Sequence, residues 1–269
     1  YYDSWVERDE ECRQRFTRYL NTQRPDIQRL FAHQFAFANF AVHYVQQELC
    51  SFSLREAIDR ILAHFELDDG QLLPPVGYYI MAELLYDLLV AIDYLHTNTP
   101  PIIHRQINPG NIMIKHDSDA GTFVKLGGFG LATEHMNDDQ SHTECSGVDQ
   151  YLAPEVRQGR RYDTKCDMYS LGVTVQHMFN FDANTLFQTE QELDTNYEKI
   201  KKQTLRLLNN VRNGRPSAQD LIIRHNEWSI PYASVRAHIL AVIEPNGSYD
   251  IDRQFVQYFL RHLQNVAKR

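Results

Sequence analysis

One segment of this 269-residue chain is apolar on almost every face of the helix that it would form. Residues 77–96, GYYIMAELLYDLLVAIDYLH, are interrupted by the carboxylates of Glu83, Asp87 and Asp93. A helix that is apolar nearly all round has to be covered by other elements, so this segment predicts the central helix of a helical core. The proline pair at 100–101 predicts that the helix stops before it.

Helical periodicity continues over most of the chain after residue 50. SLREAIDRILAHF at 53–65 has apolar residues at helical spacing and begins with Ser53, a residue type that caps helices. Further helices are predicted over 166–180, 187–209, 216–225, 231–243 and 250–267. Strands are predicted over 1–7, 41–50, 111–115 and 122–126, the last two forming a hairpin around a turn at 116–121. Together these elements indicate an α+β fold in which helices predominate.

Composition narrows the functional classes. A formal net charge of -8 predicts neither a nucleic acid nor an anionic membrane as partner. The carboxylates in the longest apolar stretches argue against a membrane span. The chain has four cysteines, Cys12, Cys50, Cys145 and Cys166. They are few and irregularly spaced, which predicts reduced thiols in a cytoplasmic protein and not a set of disulfide bonds. A zinc site at His135, His142 and Cys145 would lack a fourth ligand, so ordinary loop residues are the preferred interpretation.

Two short segments, IIHRQINPGN at 102–111 and VKLGGFG at 124–130, have the framework of a phosphoryl-transfer site. Other segments stand around them in a fixed order: YYDSWVE at 1–7, VQQELC at 45–50, SLREAI at 53–58, YLAPEV at 151–156, YDTKCDMYSLGV at 162–173 and RPSAQDLI at 215–222. In this order the segments resemble a protein kinase. More narrowly, the chain resembles the kinases that phosphorylate the alpha subunit of translation initiation factor 2, especially the amino-acid-starvation member.

The resemblance implies a protein kinase-like fold that consists mostly of the helical C-terminal lobe, with a truncated N-terminal lobe. Residues 1–50 are expected to be a remnant of the N-lobe, 51–228 the C-lobe and 229–269 a helical extension. The extension either caps the lobe, which is the preferred interpretation, or docks a partner. The family's glycine-rich loop and strand lysine would precede residue 1, so the chain is either a piece of a longer polypeptide or has a reduced small lobe.

The resemblance also implies a catalytic site whose ionisable groups are exchanged for neutral ones. Gln106 stands at the position of the base aspartate, and Asn108 stands at the position of a lysine near the transferred phosphate. Gly128 stands where the metal-binding aspartate would precede Phe-Gly. Asn111 remains as a weak metal ligand, because a single neutral amide does not hold Mg²⁺ tightly.

Several other residues match the family at positions outside this chemistry. Gln47, Glu48 and Cys50 match the gatekeeper and hinge and are weak candidates for cofactor contact. A second group is expected to be structural, with Asp167 accepting hydrogen bonds from the His-Arg turn and Glu155 paired with Arg215. This group consists of His104, Arg105, Phe129, Gly130, Glu155, Asp167 and Arg215.

The segment between the two family motifs GFG and APE contains hydroxyl residues that kinases often phosphorylate. Ser141, Thr143 and Ser146 are therefore candidates for a phosphate that pairs with Arg105, although ordinary solvated residues are the preferred interpretation. Val148 replaces a threonine that contacts the catalytic loop in the family.

Two functions stay open at this point. The first is a kinase-like domain without catalysis, a regulatory or interaction module that binds a protein partner such as an active kinase of the same family and needs no cofactor. The alternative is a serine/threonine kinase of initiation factor 2 alpha, with ATP and Mg²⁺, whose N-lobe lies outside this chain. The three neutral replacements favour the first.

Overall fold

A computed structural model describes residues 3–8, 18, 41–46, 48–115, 123–136, 149–185 and 195–243. The chain divides into two compact units, Tyr1–Leu49 and Cys50–Arg269.

The first unit contains an antiparallel pair of strands, β1 (Asp3–Arg8) and β2 (Ala41–Gln46). The register places Asp3 opposite Gln46 and Arg8 opposite Ala41. Both strands were predicted from the alternation of apolar and polar residues. The prediction of a strand up to residue 50 was wrong, because β2 ends at Gln46 and residues 48–50 have no regular structure.

The second unit is built mainly of helices. Its helices are α1 (Leu54–His64), α2 (Pro75–His96), α3 (Pro154–Arg157), α4 (Lys165–Met178), α5 (Thr195–Leu207), α6 (Ala218–Ile223) and α7 (Tyr232–Ile243). Its strands are β3 (Phe52–Ser53), β4 (Ile102–Ile103), β5 (Ile112–Ile114), β6 (Val124–Leu126) and β7 (Thr133–Glu134). The prevalence of helix over strand confirms the predicted α+β class.

The central helix of the second unit is α2, as its apolar faces predicted. It packs against α6, α7 and β6. By length and composition α2 is apolar enough to cross a membrane, but 67% of its most apolar 18-residue window is buried inside the protein. The other elements therefore cover this helix on most sides, which is what an apolar core helix requires.

Helix α1 begins directly after Ser53, the residue that was predicted to cap it. Ser53 is the N-cap; its hydroxyl accepts the Glu56 N–H, and the Glu56 carboxylate in turn accepts the Ser53 N–H at 2.7 Å. This reciprocal pair is a capping box, which satisfies backbone donors that the first helical turn leaves open.

Two short loops meet at the end of one small sheet. Strands β3, β5 and β6 form this sheet, with β5 in the middle, and β4 pairs with β7. The antiparallel register of β5 and β6 places Ile112 opposite Leu126. The residue before β5 and the residue after β6 are consequently neighbours, and the Gly127 N–H donates to the Asn111 carbonyl at 2.8 Å.

Helices α4, α6 and α7 confirm the predictions over 166–180, 216–225 and 231–243, with shifts of at most two residues at the ends. The described part of the helix predicted over 187–209 is α5. The turn at 116–121 and the helix at 250–267 lie outside the described residues. The division into an N-lobe remnant, a C-lobe and an extension stays a prediction.

Candidate functional site

The turn that leads from β4 into residues 104–111 is held by one buried carboxylate. Asp167 lies in the first turn of α4 and its side chain is fully buried. Its two oxygens accept the backbone N–H groups of His104 and Arg105, each at 2.8 Å, and the His96 Nε2 lies 2.9 Å from one of them. Arg105 has a positive φ of 66°, which is uncommon for a residue with a side chain. The carboxylate therefore stabilises a backbone turn that is unfavourable by itself.

The ring of His104 connects this turn to the second loop. The Nδ1 of His104 lies 3.3 Å from the Gln106 backbone N–H, and Nε2 lies 2.8 Å from the Gly127 carbonyl. These partners assign the proton to Nε2, because a carbonyl accepts and an N–H donates. Burial lowers the pKa of His104, in agreement with a neutral ring. The ring edge meets Phe129 with 4.8 Å between the ring centroids.

Arg105 is half-buried, and its guanidinium is already engaged within the second unit. Its Nε donates to the Leu131 carbonyl, and its Nη1 donates to the Tyr162 hydroxyl at 3.1 Å. The candidate phosphate acceptors Ser141, Thr143 and Ser146, and also Val148, lie outside the described residues. The pairing of Arg105 with a phosphorylated residue stays a prediction.

The side chains of Asn108 and Asn111 in the first loop both contact the backbone carbonyl of Gln106. The amide of Asn108 is used twice, since Nδ2 donates to the Gln106 carbonyl at 3.0 Å and Oδ1 accepts the Gly110 N–H at 2.9 Å. The Nδ2 of Asn111 donates to the same Gln106 carbonyl at 2.9 Å. The amides of Asn108 and Asn111 thus bond within the turn, and Asn108 directs no charge outward.

Magnesium requires oxygen ligands, preferably carboxylates and water. Residues 104–111 and 127–130 contain no carboxylate at all. Gly128 contributes no side chain, and the Asn111 amide nitrogen is a donor bonded to the Gln106 carbonyl. These residues do not fit a magnesium ion. In the described part of the chain, no group of three or more His, Cys, Asp or Glu side chains is placed to hold a metal.

A second buried contact lies on the other side of α4. The Nη1 and Nη2 atoms of Arg215 donate to the two carboxylate oxygens of Glu155 at 2.6 and 2.8 Å. The Arg215 side chain also donates to the backbone carbonyls of Asn209 and Lys165. This arrangement connects the short helix α3 to the chain before α6.

The remaining predicted residues are Phe129, Gly130 and the three hinge candidates. Phe129 is 42% exposed. A Cβ added at Gly130 would meet no atom within 4 Å, so packing does not explain this glycine. Of the hinge candidates, Gln47 lies outside the described residues, and Glu48 and Cys50 are half-buried.

Two further residues of the site were missed by the sequence reasoning. His96, the last residue of α2, contacts Asp167 from 71 positions away in the chain, and Tyr162 contacts Arg105 from 57 positions away. No local pattern marks Tyr162. His96 did carry a signal, because a histidine at the end of a buried helix needs a polar partner.

The fold and this pair of loops define the class of protein. The family model of the protein kinase domain matches residues 24–240, and the chain belongs to the protein kinase family. Domains of this family normally use ATP and magnesium.

Among the relatives are kinases of translation initiation factor 2 alpha. The chain is 32% identical over 184 residues to the eukaryotic translation initiation factor 2-alpha kinase 1 of Mus musculus, covering 64% of this chain and 26% of that protein. It is 35% identical to the eIF-2-alpha kinase GCN2 of Schizosaccharomyces pombe, over 56% of this chain and 9% of that protein. It is 28% identical to the interferon-induced, double-stranded RNA-activated protein kinase of Rattus norvegicus, over 55% of this chain and 30% of that protein. The chain therefore spans less than a third of the length of each of these relatives.

Proposed function

We propose that this chain is a catalytically inactive kinase domain, related to the initiation factor 2-alpha kinases, that acts in the cytoplasm as a regulatory or interaction module. The observation that carries the proposal is the chemistry of the two loops. The base position holds Gln106, the lysine position holds Asn108 and the metal position holds Gly128. None of these residues has an ionisable side chain.

Each replacement removes a different contribution to phosphoryl transfer. An amide at 106 has no useful basicity, and general-base help is typically worth about a hundredfold to ten-thousandfold in rate. Asn108 carries no positive charge and its amide is bonded within the turn. Gly128 cannot ligate a cation that bridges the phosphates. Since catalytic groups act as a unit, the loss of any one of them is sufficient to disable the reaction.

The architecture around the site supports a role for the folded domain itself. Asp167 still holds the His104–Arg105 turn, and Glu155 still pairs with Arg215. A kinase fold that is maintained without turnover is suited to binding, and the partner that we propose is a protein, an active kinase of the same family. A second candidate function is serine/threonine phosphorylation of initiation factor 2 alpha. It is favoured by the names of the relatives and by the presence of Asn111.

Transfer of labelled phosphate from ATP to initiation factor 2 alpha separates the two functions. The inactive domain leaves the substrate unlabelled with and without Mg²⁺. The matched control is the double variant Gln106→Ala, Asn111→Ala, which removes the side chains at the base position and at the retained metal-ligand position. Labelling that persists unchanged in this variant comes from a contaminating kinase. Labelling that the variant abolishes belongs to the chain and contradicts the proposal.

Thermal unfolding with ATP gives an independent check. The proposal predicts that the melting temperature is the same with ATP alone and with ATP plus Mg²⁺, because no group holds the ion. A rise in melting temperature that depends on Mg²⁺ would favour the active kinase.

The interaction role is tested by co-purification of the tagged chain with an active initiation factor 2-alpha kinase. The proposal predicts a complex of defined stoichiometry. A chain that stays monomeric at micromolar concentration in the presence of that kinase would count against this part of the proposal.

A further inference from the structure

A groove lies in the second unit between α1, the loop that joins α1 to α2, and the end of α4; we call it the α1–α4 groove. Its volume is about 650 Å³, within the range of about 300–1,000 Å³ that is usual for ligand-binding clefts. Its described lining includes no residue of 104–111 or 127–130. The α1–α4 groove is therefore a candidate for binding that does not depend on the two kinase-like loops.

The wall formed by the α1–α2 loop is held by one buried side chain at the end of α4. The Nδ2 of Asn180 donates to the Asp68 carbonyl at 2.8 Å and to the Gln71 carbonyl at 2.9 Å. Its Oδ1 accepts the Gly70 N–H at 3.3 Å. These three hydrogen bonds fix the loop against α4, so this wall is formed by the fold before any ligand binds.

A second wall is the segment that follows α4, and it is also held by side chains. The Oε1 of Gln176 accepts the Ala183 N–H at 2.8 Å, and the Oδ1 of Asp182 accepts the Asn184 N–H at 2.8 Å. Phe181, at this turn, is 5% exposed. Walls that are fixed in advance lower the ordering cost of binding.

The lining combines buried apolar side chains with exposed carboxylates. Its apolar side chains belong to Ile58, Leu62 and Phe181, and its carboxylates belong to Asp59, Asp69 and Asp182. Ile58 and Phe181 are buried, whereas the three aspartates are exposed. A ligand of this groove therefore meets both apolar surface and negative charge.

Negative charge exceeds positive charge in the α1–α4 groove. Among the described lining residues, Arg55 is the cation. Burial and the Arg55 charge lower the pKa of His177, against Asp69, which raises it, so this ring is neutral at pH 7. Outside the lining, Lys201 of α5 interacts with Asp182. The carboxylates outnumber the cations even when Lys201 is counted, and the groove attracts positive charge.

We propose that the α1–α4 groove binds a peptide segment of a protein partner that carries arginine and apolar side chains. The guanidinium groups pair with the carboxylates of the lining, while the arginine stems and the apolar residues lie against its apolar side chains. An acidic segment is repelled by the same carboxylates, which gives the groove its selectivity. The proposal deepens the proposed interaction role and rests on it in taking a protein as the partner.

Fluorescence anisotropy of a labelled peptide tests the groove in the wild-type chain, without any residue change. The probe is Gly-Arg-Leu-Arg-Gly, and its matched control is Gly-Gln-Leu-Gln-Gly, which keeps the length and the apolar residue but has no charged side chain. We expect saturable binding of the arginine peptide below millimolar concentration. The glutamine peptide should bind about fivefold more weakly, the effect of one or two exposed ion pairs. Equal binding of the two peptides, or no saturable binding of either, would overturn the proposal.

Residue changes locate the binding in the groove. The double variant Asp69→Asn, Asp182→Asn removes two carboxylates but keeps their size and the oxygen that accepts the Asn184 N–H. It should bind the arginine peptide about fivefold more weakly than the wild type does. The control Glu198→Gln, Glu227→Gln makes the same change of charge at exposed positions outside the described lining and should bind as the wild type does. Equal affinities of the two double variants would place the peptide elsewhere and refute the groove.

Analytical ultracentrifugation distinguishes a partner's peptide from a second copy of this chain as the occupant. The wild type and the variant Asp69→Asn, Asp182→Asn should sediment alike. Self-association of the wild type that the variant abolishes would assign the groove to a second copy and contradict the proposal.

The groove and the proposed function fail separately. Phosphate transfer by the wild-type chain refutes the inactive domain. Loss of peptide selectivity in a chain that still co-purifies with an active kinase refutes the groove alone.

Discussion

Glu155 and Arg215 form an ion pair with two parallel hydrogen bonds, in which the Arg215 side chain is fully buried and the Glu155 side chain is 10% exposed. The two residues are separated by 60 positions in the chain. The guanidinium also contacts the ring of Tyr169, with its central carbon 5.1 Å from the ring centroid. The pair therefore connects α3, α4 and the chain before α6 through one charged group.

Removal of one partner of this pair should be strongly destabilising. Arg215→Ala leaves the Glu155 carboxylate buried without its counter-ion, and we expect a loss of about 3–5 kcal/mol in the free energy of unfolding. The matched control is Arg224→Ala, since Arg224 and Glu227 form an exposed pair at 3.5 Å; that variant should lose less than about 1 kcal/mol. Urea unfolding of both variants measures the difference. Similar losses for the two would contradict the structural role of the buried pair.

Asp167 gives a second prediction, which concerns the His104–Arg105 turn. Asp167→Asn keeps the size of the side chain but turns one acceptor oxygen into a donor that faces a backbone N–H or His96. We expect a loss of about 1.5–3 kcal/mol, the usual range for a hydrogen bond to a charged group. Asp59→Asn, on the exposed surface of α1, is the control and should have little effect. Thermal denaturation followed by circular dichroism is sufficient to compare them.

The third prediction concerns pH and the carboxylate pair in α2. Burial, with a smaller contribution from the neighbouring Asp87, raises the pKa of Glu83 from 4.5 to about 7. Burial raises the pKa of Asp87 as well, against backbone hydrogen bonds from Phe123 and Val124 that lower it. Between pH 4.5 and about 7 the folded state therefore binds more protons at Glu83 than the unfolded state does. The contribution of Glu83 to stability should therefore fall as pH rises through this window and should change little above it.

Glu83→Gln tests this assignment, because glutamine keeps the neutral form at every pH. The variant should gain melting temperature relative to the wild type as pH is raised from 5 to 8. Glu198→Gln, at an exposed position of α5, should show no such trend. A wild-type melting temperature that rises between pH 5 and pH 7, with no difference from Glu83→Gln, would show that Glu83 is not the group responsible.

The capping box of α1 gives a fourth prediction. Ser53→Ala removes the acceptor for the Glu56 N–H, and loss of an N-cap costs about 1 kcal/mol. Ser53→Thr keeps a hydroxyl and should retain most of the stability. Equal melting temperatures for the alanine and threonine variants would indicate that the cap contributes nothing.

Much of this architecture is predictable from sequence because it depends on strong local signals. A helix that is apolar on nearly every face is stable only in a core, and α2 lies in the core of the second unit. Ser53 followed by Glu56 begins a helix for a local reason, the capping box. The two loops were recognisable because kinase motifs retain their spacing even where single residues have changed.

Other features depend on contacts that sequence spacing does not reveal. The absence of a carboxylate at 128 is visible in the sequence, but the contacts of the neighbouring Asn111 side chain are not. Its amide nitrogen donates to the Gln106 carbonyl and its side chain lies against Gly128, and its role as a weak metal ligand stays a prediction.

The hydrogen-bonded turn from His104 to Asn111 is closed from inside the chain, by the Asp167 carboxylate at one end and by the amides of Asn108 and Asn111 at the other. Its shape is therefore set by the folded polypeptide alone, and we expect it to persist when a chelator removes divalent cations.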